Sequence, residues 1–71
     1  MEFDTEVFGE RLKELRLKRC LTIVKLAKVL DVNNATISRC ENGVIKPSVD
    51  TIYAMAKFFN VPAGYLIGTE D

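Results

Sequence analysis

The chain has no histidine and only two cysteines, Cys20 and Cys40, among its 71 residues. A structural zinc site takes most of its four ligands from cysteine and histidine, so this composition predicts no metal site and no cofactor. Without histidine, the chain also lacks the common base that activates a serine or cysteine nucleophile, and we expect no enzyme activity. Two cysteines outside a Cys-x-x-Cys pair are few for a small secreted domain, which predicts reduced thiols and a cytoplasmic protein.

Long apolar runs and a net charge are also missing. No run is long enough to cross a bilayer and the first residues are acidic, which predicts neither a membrane span nor a signal peptide. Ten basic and ten acidic residues cancel, which argues against a protein that coats nucleic acid without sequence preference. Residues 11–28 nevertheless carry seven basic residues and one acidic residue. The part of it at 11–19 is either a solvated helix face or a local nucleic-acid contact, and charge alone favours the solvated face.

Helical periodicity is the strongest pattern that the sequence does contain, and strand signals are weak. Apolar residues recur at helical spacing in the longer segments, and polar residues suited to N-caps precede most of them. The pattern predicts five short helices at about residues 5–19, 22–30, 33–41, 48–59 and 62–67. We expect residues 1–71 to form a single small domain with a frayed end at 69–71.

The third predicted helix differs from the others because Ile37 is its only large apolar residue at mid-length. A helix this polar is not held by its own packing, so its neighbours must display its polar face. The short turn at 31–33 joins it to the second helix. Two helices joined by such a turn, with the second short and polar, are typical of a helix-turn-helix.

An ordered set of motifs makes that prediction sharper. The motifs are FGERLKELR at 8–16, leucines at 21, 26 and 30, NNATISRCENG at 33–43, PS at 47–48 and FNV at 59–61. Together they resemble the phage-repressor/Cro type of helix-turn-helix domain, also called xenobiotic-response-element-like (XRE-like), over about residues 7–68. The resemblance implies an all-α, compact, five-helix lambda-repressor-like DNA-binding domain with the helix-turn-helix at helices 2 and 3.

The resemblance also implies a function: a sequence-specific DNA-binding transcriptional regulator, with repression as the expected activity. Such a protein binds double-stranded operator DNA as a homodimer and inserts helix 3 into the major groove. The chemistry of helix 3 agrees, because Asn34 can pair with adenine, Arg39 with guanine or a phosphate, and Ala35 with a thymine methyl. The expected DNA-binding residues are Thr22, Asn33, Asn34, Ala35, Thr36, Ser38, Arg39, Asn42 and Lys46.

Several of these residues also have a simpler role that the sequence leaves open. Thr22 and Asn33 can act as N-caps of helices 2 and 3, with or without a DNA contact. Arg39 can be a solvated surface charge, and Thr36 and Ser38 can be ordinary polar residues of a helix surface.

Arg16 and Glu41 match a pair that forms an internal salt bridge in the resembled family. In this chain the pair would clamp the first helix to the end of the third, and its role would be orientation rather than base recognition. The alternative is a contact between Arg16 and a DNA phosphate.

The sequence also departs from the family pattern. Ile23 stands at a position where the family usually has a glutamine that helps to hold DNA. Cys20 and Asp31 stand where glycine is common. These changes support an alternative function, a protein-interaction module of antitoxin-like or regulatory-subunit type with weak DNA contact. Its protein partner would bind an exposed aliphatic surface formed by Ile23, Val24, Val44 and Ile45. The apolar residues available for a dimer contact or for the core are Tyr53, Phe58, Tyr65, Leu66 and Ile67.

Overall fold

A computed structural model describes residues 3–69, and within them five α-helices follow one another without a strand. The helices are α1 (Thr5–Lys18), α2 (Ile23–Leu30), α3 (Asn34–Glu41), α4 (Val49–Phe59) and α5 (Ala63–Ile67). The predicted all-α, five-helix fold is confirmed. The predicted starts of α2 to α5 were one residue early, because each included the cap residue.

Polar N-caps fix where four of the helices begin. The side chains of Asp4, Thr22, Asn33 and Ser48 each accept a hydrogen bond from a backbone N–H two or three residues further on, at 2.8–3.2 Å. Each bond satisfies an N–H that the first turn of a helix leaves without a partner. These local bonds explain why the sequence pattern located the helices well.

Three residues other than glycine adopt the left-handed backbone conformation. Cys20, Asp31 and Asn60 have φ angles of 56°, 57° and 57°. This conformation costs a non-glycine residue roughly 1–2 kcal/mol, so each turn is formed against a local penalty. Asp31 and Asn60 end α2 and α4, and Cys20 lies between α1 and α2.

Thr69, the last described residue, forms hydrogen bonds back to α5. Thr69, which we expected to fray, donates hydrogen bonds to the Gly64 carbonyl from its backbone N–H at 2.9 Å and from its hydroxyl at 3.2 Å. Residues 70 and 71 lie outside the described residues. The bonds to Gly64 tie the chain after α5 back onto that helix.

All five helices contribute to one core. α1 lies against both α3 and α5, while α2 and α4 complete the enclosure. At Gly9 the contact between α1 and α3 is backbone to backbone, because a Cβ there would lie 2.6 Å from the carbonyl oxygens of Cys40 and Glu41. The buried apolar residues are Phe8, Leu12, Leu26, Ala27, Ile37, Cys40, Ile52, Met55, Ala56, Phe59 and Leu66.

Within residues 3–69, no helix has the length and apolar character needed to cross a membrane. The same residues contain no group of three or more histidine, cysteine, aspartate or glutamate side chains arranged to hold a metal ion.

Candidate nucleic-acid interface

Helix α3 is held by two buried side chains and presents its polar side outwards. Ile37 and Cys40 are completely buried against the other helices. On the rest of the helix surface, Asn34, Ala35 and Arg39 are exposed, and Thr36 and Ser38 are partly exposed. The residues that the sequence predicted for base recognition are therefore displayed together on one short helix.

Arg39 differs from most arginines of this protein because no group among residues 3–69 pairs with its charge. Within residues 3–69, its exposed guanidinium makes no hydrogen bond or ion pair. An unpaired guanidinium on a displayed helix can donate two parallel hydrogen bonds to a guanine edge or to a phosphate. The geometry thus leaves Arg39 available for a ligand.

The N-caps of the helix-turn-helix lie at the starts of α2 and α3. The Thr22 hydroxyl accepts from the Lys25 N–H at 3.1 Å, and the Asn33 Oδ1 accepts from the Ala35 N–H at 2.8 Å. Each bond uses only an acceptor atom, so the hydroxyl proton of Thr22 and the amide protons of Asn33 remain donors. Both residues are exposed at helix N-termini, where partial positive charge attracts phosphate. Capping and phosphate contact are therefore compatible.

The loop after α3 continues the same surface. Gly43 has a φ of 73°, and the Val44 N–H donates to the Arg39 carbonyl at 2.9 Å, which turns the chain away from the helix. Asn42 and Lys46 are exposed in this segment. The Lys46 ammonium lies 5.5 Å from the centroid of the Phe3 ring, so part of its charge is already directed towards the protein.

A buried ion pair connects α1 to the end of α3. Arg16 Nε donates to Glu41 Oε2 at 2.6 Å and Nη2 to Oε1 at 3.0 Å, with side chains only 9% and 5% exposed. The hydrogen bonds that Arg16 donates to the Glu41 carboxylate raise the pKa of Arg16 above its ordinary value, although burial opposes the shift. Arg16 Nη1 also donates to the Leu21 carbonyl at 2.7 Å. One side chain thus joins α1, the α1–α2 turn and α3, and its burial conflicts with the alternative phosphate contact.

Part of the basic segment at 11–28 makes contacts within the protein. Arg11 donates to the Tyr65 carbonyl, and its guanidinium lies 4.5 Å from the centroid of the Tyr65 ring. Arg19 donates to the Phe58 carbonyl at 2.9 Å. Together with Arg16, these residues direct three of the seven positive charges to the protein itself. Sequence reasoning missed the roles of Arg11 and Arg19, because their partners lie 54 and 39 residues away along the chain.

The predicted aliphatic surface for a protein partner does not form as a unit. Val24 and Val44 are 59% and 69% exposed. Ile23 and Ile45, in contrast, are partly buried and pack against the core. The prediction of four exposed aliphatic residues was wrong because the isoleucines at 23 and 45 extend the apolar interior.

Both cysteines are free thiols in different surroundings. Cys20 is exposed, whereas Cys40 is buried on the inner side of α3. Burial, assisted by the nearby Glu41 carboxylate, raises the pKa of the Cys40 thiol to about 11. Cys40 therefore stays protonated at neutral pH and packs as a small apolar residue.

The sequence is similar to those of known helix-turn-helix proteins. A family model described as helix-turn-helix matches residues 12–66. The HTH-type transcriptional regulator ImmR of Bacillus subtilis (strain 168) is 33% identical over 63 residues, 89% of this chain and 50% of ImmR. The HTH-type transcriptional repressor RghR of the same strain is 42% identical over an alignment 71 residues long, which covers 86% of this chain and 51% of RghR. The chain spans about half the length of these relatives.

Two solved structures have a similar fold. The P22 c2 repressor protein, in complex with a synthetic operator, has a TM-score of 0.84 and 26% identity, covering 90% of this chain and 97% of the repressor chain. The restriction-modification controller protein C.AhdI from Aeromonas hydrophila has a TM-score of 0.80 and 27% identity, covering 89% of this chain and 96% of the controller.

Proposed function

The chain belongs to the helix-turn-helix family, of the phage-repressor/Cro type that its sequence resembles, and on this premise we propose that it is the DNA-binding part of a transcriptional repressor. The observation that carries the proposal is the display of Asn34, Ala35 and Arg39 on α3, opposite its buried side. RghR is named a transcriptional repressor, and the P22 c2 repressor was solved with an operator.

In the proposed complex, α3 enters the major groove of operator DNA. Asn34 donates and accepts hydrogen bonds at an adenine edge, Ala35 contacts a thymine methyl, and Arg39 binds guanine or an adjacent phosphate. Thr36 and Ser38, which are partly exposed on the same helix, supply hydroxyls to bases or phosphates. The Arg16–Glu41 pair fixes the orientation of α3 relative to α1.

The DNA backbone is bound by groups around α3. The donors that capping leaves on Thr22 and Asn33 point to phosphate contacts at the two helix N-termini. Asn42 and Lys46 extend these contacts along the loop. In each protomer only Arg39 and Lys46 carry a full positive charge among these groups. For the dimer, with four such charges, we expect the logarithm of affinity to fall with the logarithm of salt concentration with a slope of roughly −4.

We propose that the chain binds as a homodimer through the α4–α5 surface. Among the apolar residues predicted for this contact, Leu66 is buried and Phe58, Tyr65 and Ile67 are partly buried, whereas Tyr53 is 63% exposed. Tyr53 borders an open groove of about 570 Å³ whose other lining residues include Ala56, Val61, Pro62 and Ala63. An aromatic side chain beside a groove suits a two-fold contact, in which each Tyr53 enters the groove of the other copy.

The alternative function, a protein-interaction module with weak DNA contact, loses its main support because Ile23 and Ile45 pack against the core. The free thiols of Cys20 and Cys40 agree with the proposal that the protein acts in the cytoplasm, where thiols stay reduced.

Selection from a pool of random double-stranded DNA tests the proposal. We expect enrichment of an inverted repeat with half-sites about 10 bp apart, because two α3 helices must enter successive major grooves on one side of the duplex. The selection is run at moderate and at low salt with protein shown to be folded and dimeric. Enrichment of no sequence at either salt concentration would contradict the proposal and return the protein-interaction module to consideration.

A further inference from the structure

Helix α1 stands between the helix that displays the recognition residues and the surface proposed for dimer contact. The main contacts of α3 are with α1 and α2, and the main contacts of α5 are with α1 and α4. α1 is therefore the one helix that contacts both α3 and α5 extensively. The distance between the recognition helices of a dimer depends on how firmly α1 holds each side.

The contact between α1 and α3 is close and contains a buried ion pair. The backbones of the two helices touch at Gly9, where no Cβ would fit against the carbonyls of Cys40 and Glu41. The doubly hydrogen-bonded Arg16–Glu41 pair closes the same interface. A displacement of α3 relative to α1 would have to break this buried ion pair.

Towards α4 and α5, two other arginines add polar contacts to the packing of the apolar core. Arg11 binds the backbone carbonyl of Tyr65 and lies 4.5 Å from the centroid of its ring. Arg19, the residue that follows α1, binds the carbonyl of Phe58 at 2.9 Å and lies 5.1 Å from the centroid of the Phe58 ring. Each contact thus combines a hydrogen bond to the backbone with a cation over an aromatic face.

The two carbonyls share a position that suits a cation. Tyr65 lies near the end of α5 and Phe58 near the end of α4. The last four carbonyls of a helix have no partner within the helix, and the dipole gives that end partial negative charge. Arg11 and Arg19 therefore each bind the C-terminal end of a different helix and hold that end near α1.

We propose that Arg11 and Arg19 are positioning residues that hold the α4–α5 surface at a fixed place relative to α3, and so set the half-site spacing that a dimer of this chain accepts. The inference rests on the proposed function, in which the α4–α5 surface forms the dimer. Changing the spacing by one base pair moves a half-site by about 3.4 Å along the duplex and rotates it by roughly 35°. A dimer with a fixed geometry binds both half-sites only at the correct spacing.

The test compares Arg11→Gln/Arg19→Gln with the matched control Lys13→Gln/Lys18→Gln. The control removes the same charge from exposed positions on the same helix. Affinities are measured for the selected inverted repeat, for versions with the spacing changed by one base pair in each direction, and for DNA with one half-site. Thermal melting by circular dichroism establishes that each variant is folded at the assay temperature.

We expect the parent protein and the lysine control to lose at least about tenfold in affinity when the spacing changes, because the second half-site is no longer bound. The arginine variant should lose about threefold or less, since its dimer adapts to either spacing. Its affinity for the single half-site should match that of the control. Arg11→Lys/Arg19→Lys keeps both charges and should restore part of the discrimination. If the glutamine variant does not fold, the lysine variant is compared directly with the parent protein, and it should lose less affinity than the parent when the spacing changes.

Two results would overturn the inference. One is an arginine variant that keeps the full spacing discrimination of the parent protein. The other is an equal loss on the single half-site and on every repeat, which would mean that the arginines only stabilise the fold. A parent protein that enriches no DNA would instead overturn the proposed function, and this inference with it, before any variant is compared.

Discussion

The arginine side chains in and directly after α1 bind other groups of the protein, whereas the arginine side chain of α3 binds none in the described part of the chain. Arg11, Arg16 and the C-cap residue Arg19 all bind carbonyl or carboxylate oxygens inside the protein. Arg39 of α3 makes no such bond within residues 3–69. Three of the seven basic residues in the most basic segment therefore make structural contacts, whereas the single arginine of α3 has no bonded partner for its side chain within residues 3–69. Local charge density alone does not separate the arginines that bind within the protein from the one that does not.

The largest expected effect comes from breaking the buried pair of α1 and α3. Glu41→Leu leaves the Arg16 guanidinium buried without its carboxylate, and we expect a loss of about 3–5 kcal/mol in the free energy of unfolding. Urea denaturation measures it. Glu14→Gln breaks the exposed Lys18–Glu14 pair, whose atoms are 3.3 Å apart, and should cost less than about 1 kcal/mol. Equal losses in the two variants would refute the structural role of the buried pair.

The next effect concerns the close approach of the same two helices. Gly9→Ala places a Cβ 2.6 Å from two backbone carbonyls, which have no side-chain freedom to move away. We expect a loss of about 3 kcal/mol in the free energy of unfolding, despite the better helix propensity of alanine. Glu10→Ala is the control, since that side chain is exposed on the same helix. A more stable Gly9→Ala protein would show that α1 and α3 are further apart than described.

Arg39→Ala should affect DNA binding and leave stability unchanged. The side chain is exposed and unbonded within residues 3–69, so its removal should shift the melting temperature little. On the selected operator we expect a loss of about 1–3 kcal/mol in binding free energy and a relaxed preference at one base pair. Fluorescence anisotropy titrations measure the loss. Arg39→Ala that binds as tightly as the parent protein would remove Arg39 from the interface.

The smallest effect is a pH dependence of stability that originates at Cys40. Below pH 9 the thiol is protonated in the folded and the unfolded chain, so it contributes no slope. Between pH 9 and the folded pKa of about 11, the unfolded chain releases its proton first, so stability falls as pH rises. At pH 10 the ionisation of Cys40 in the unfolded chain lowers the free energy of unfolding by about 1 kcal/mol. Cys40→Ala should lose this part of the slope in urea melts taken from pH 8 to 10.5, and an unchanged slope would assign it to other groups.

Much of the fold could be predicted from the sequence because its signals are local. Thr22, Asn33 and Ser48 each bond a backbone N–H within three residues, so a short window of sequence contains both partners. The same holds for the apolar periodicity of the longer helices and for the glycine after α3. The polar character of α3 singled out that helix as one displayed by its neighbours. The resemblance to the phage-repressor/Cro type then implied which of its residues are candidates for recognition.

The sequence by itself determined the five helices, their caps and the short polar helix that marks a helix-turn-helix. Only the tertiary structure decided which charges are internal, because Arg11 and Arg19 meet carbonyls that lie 54 and 39 residues away. It also decided that Ile23 and Ile45 pack against the core while Val24 and Val44 remain exposed. The physical reason is the same in each case: hydrogen bonds within a helical turn depend on neighbours in the chain, whereas burial and ion pairing depend on which helices pack together.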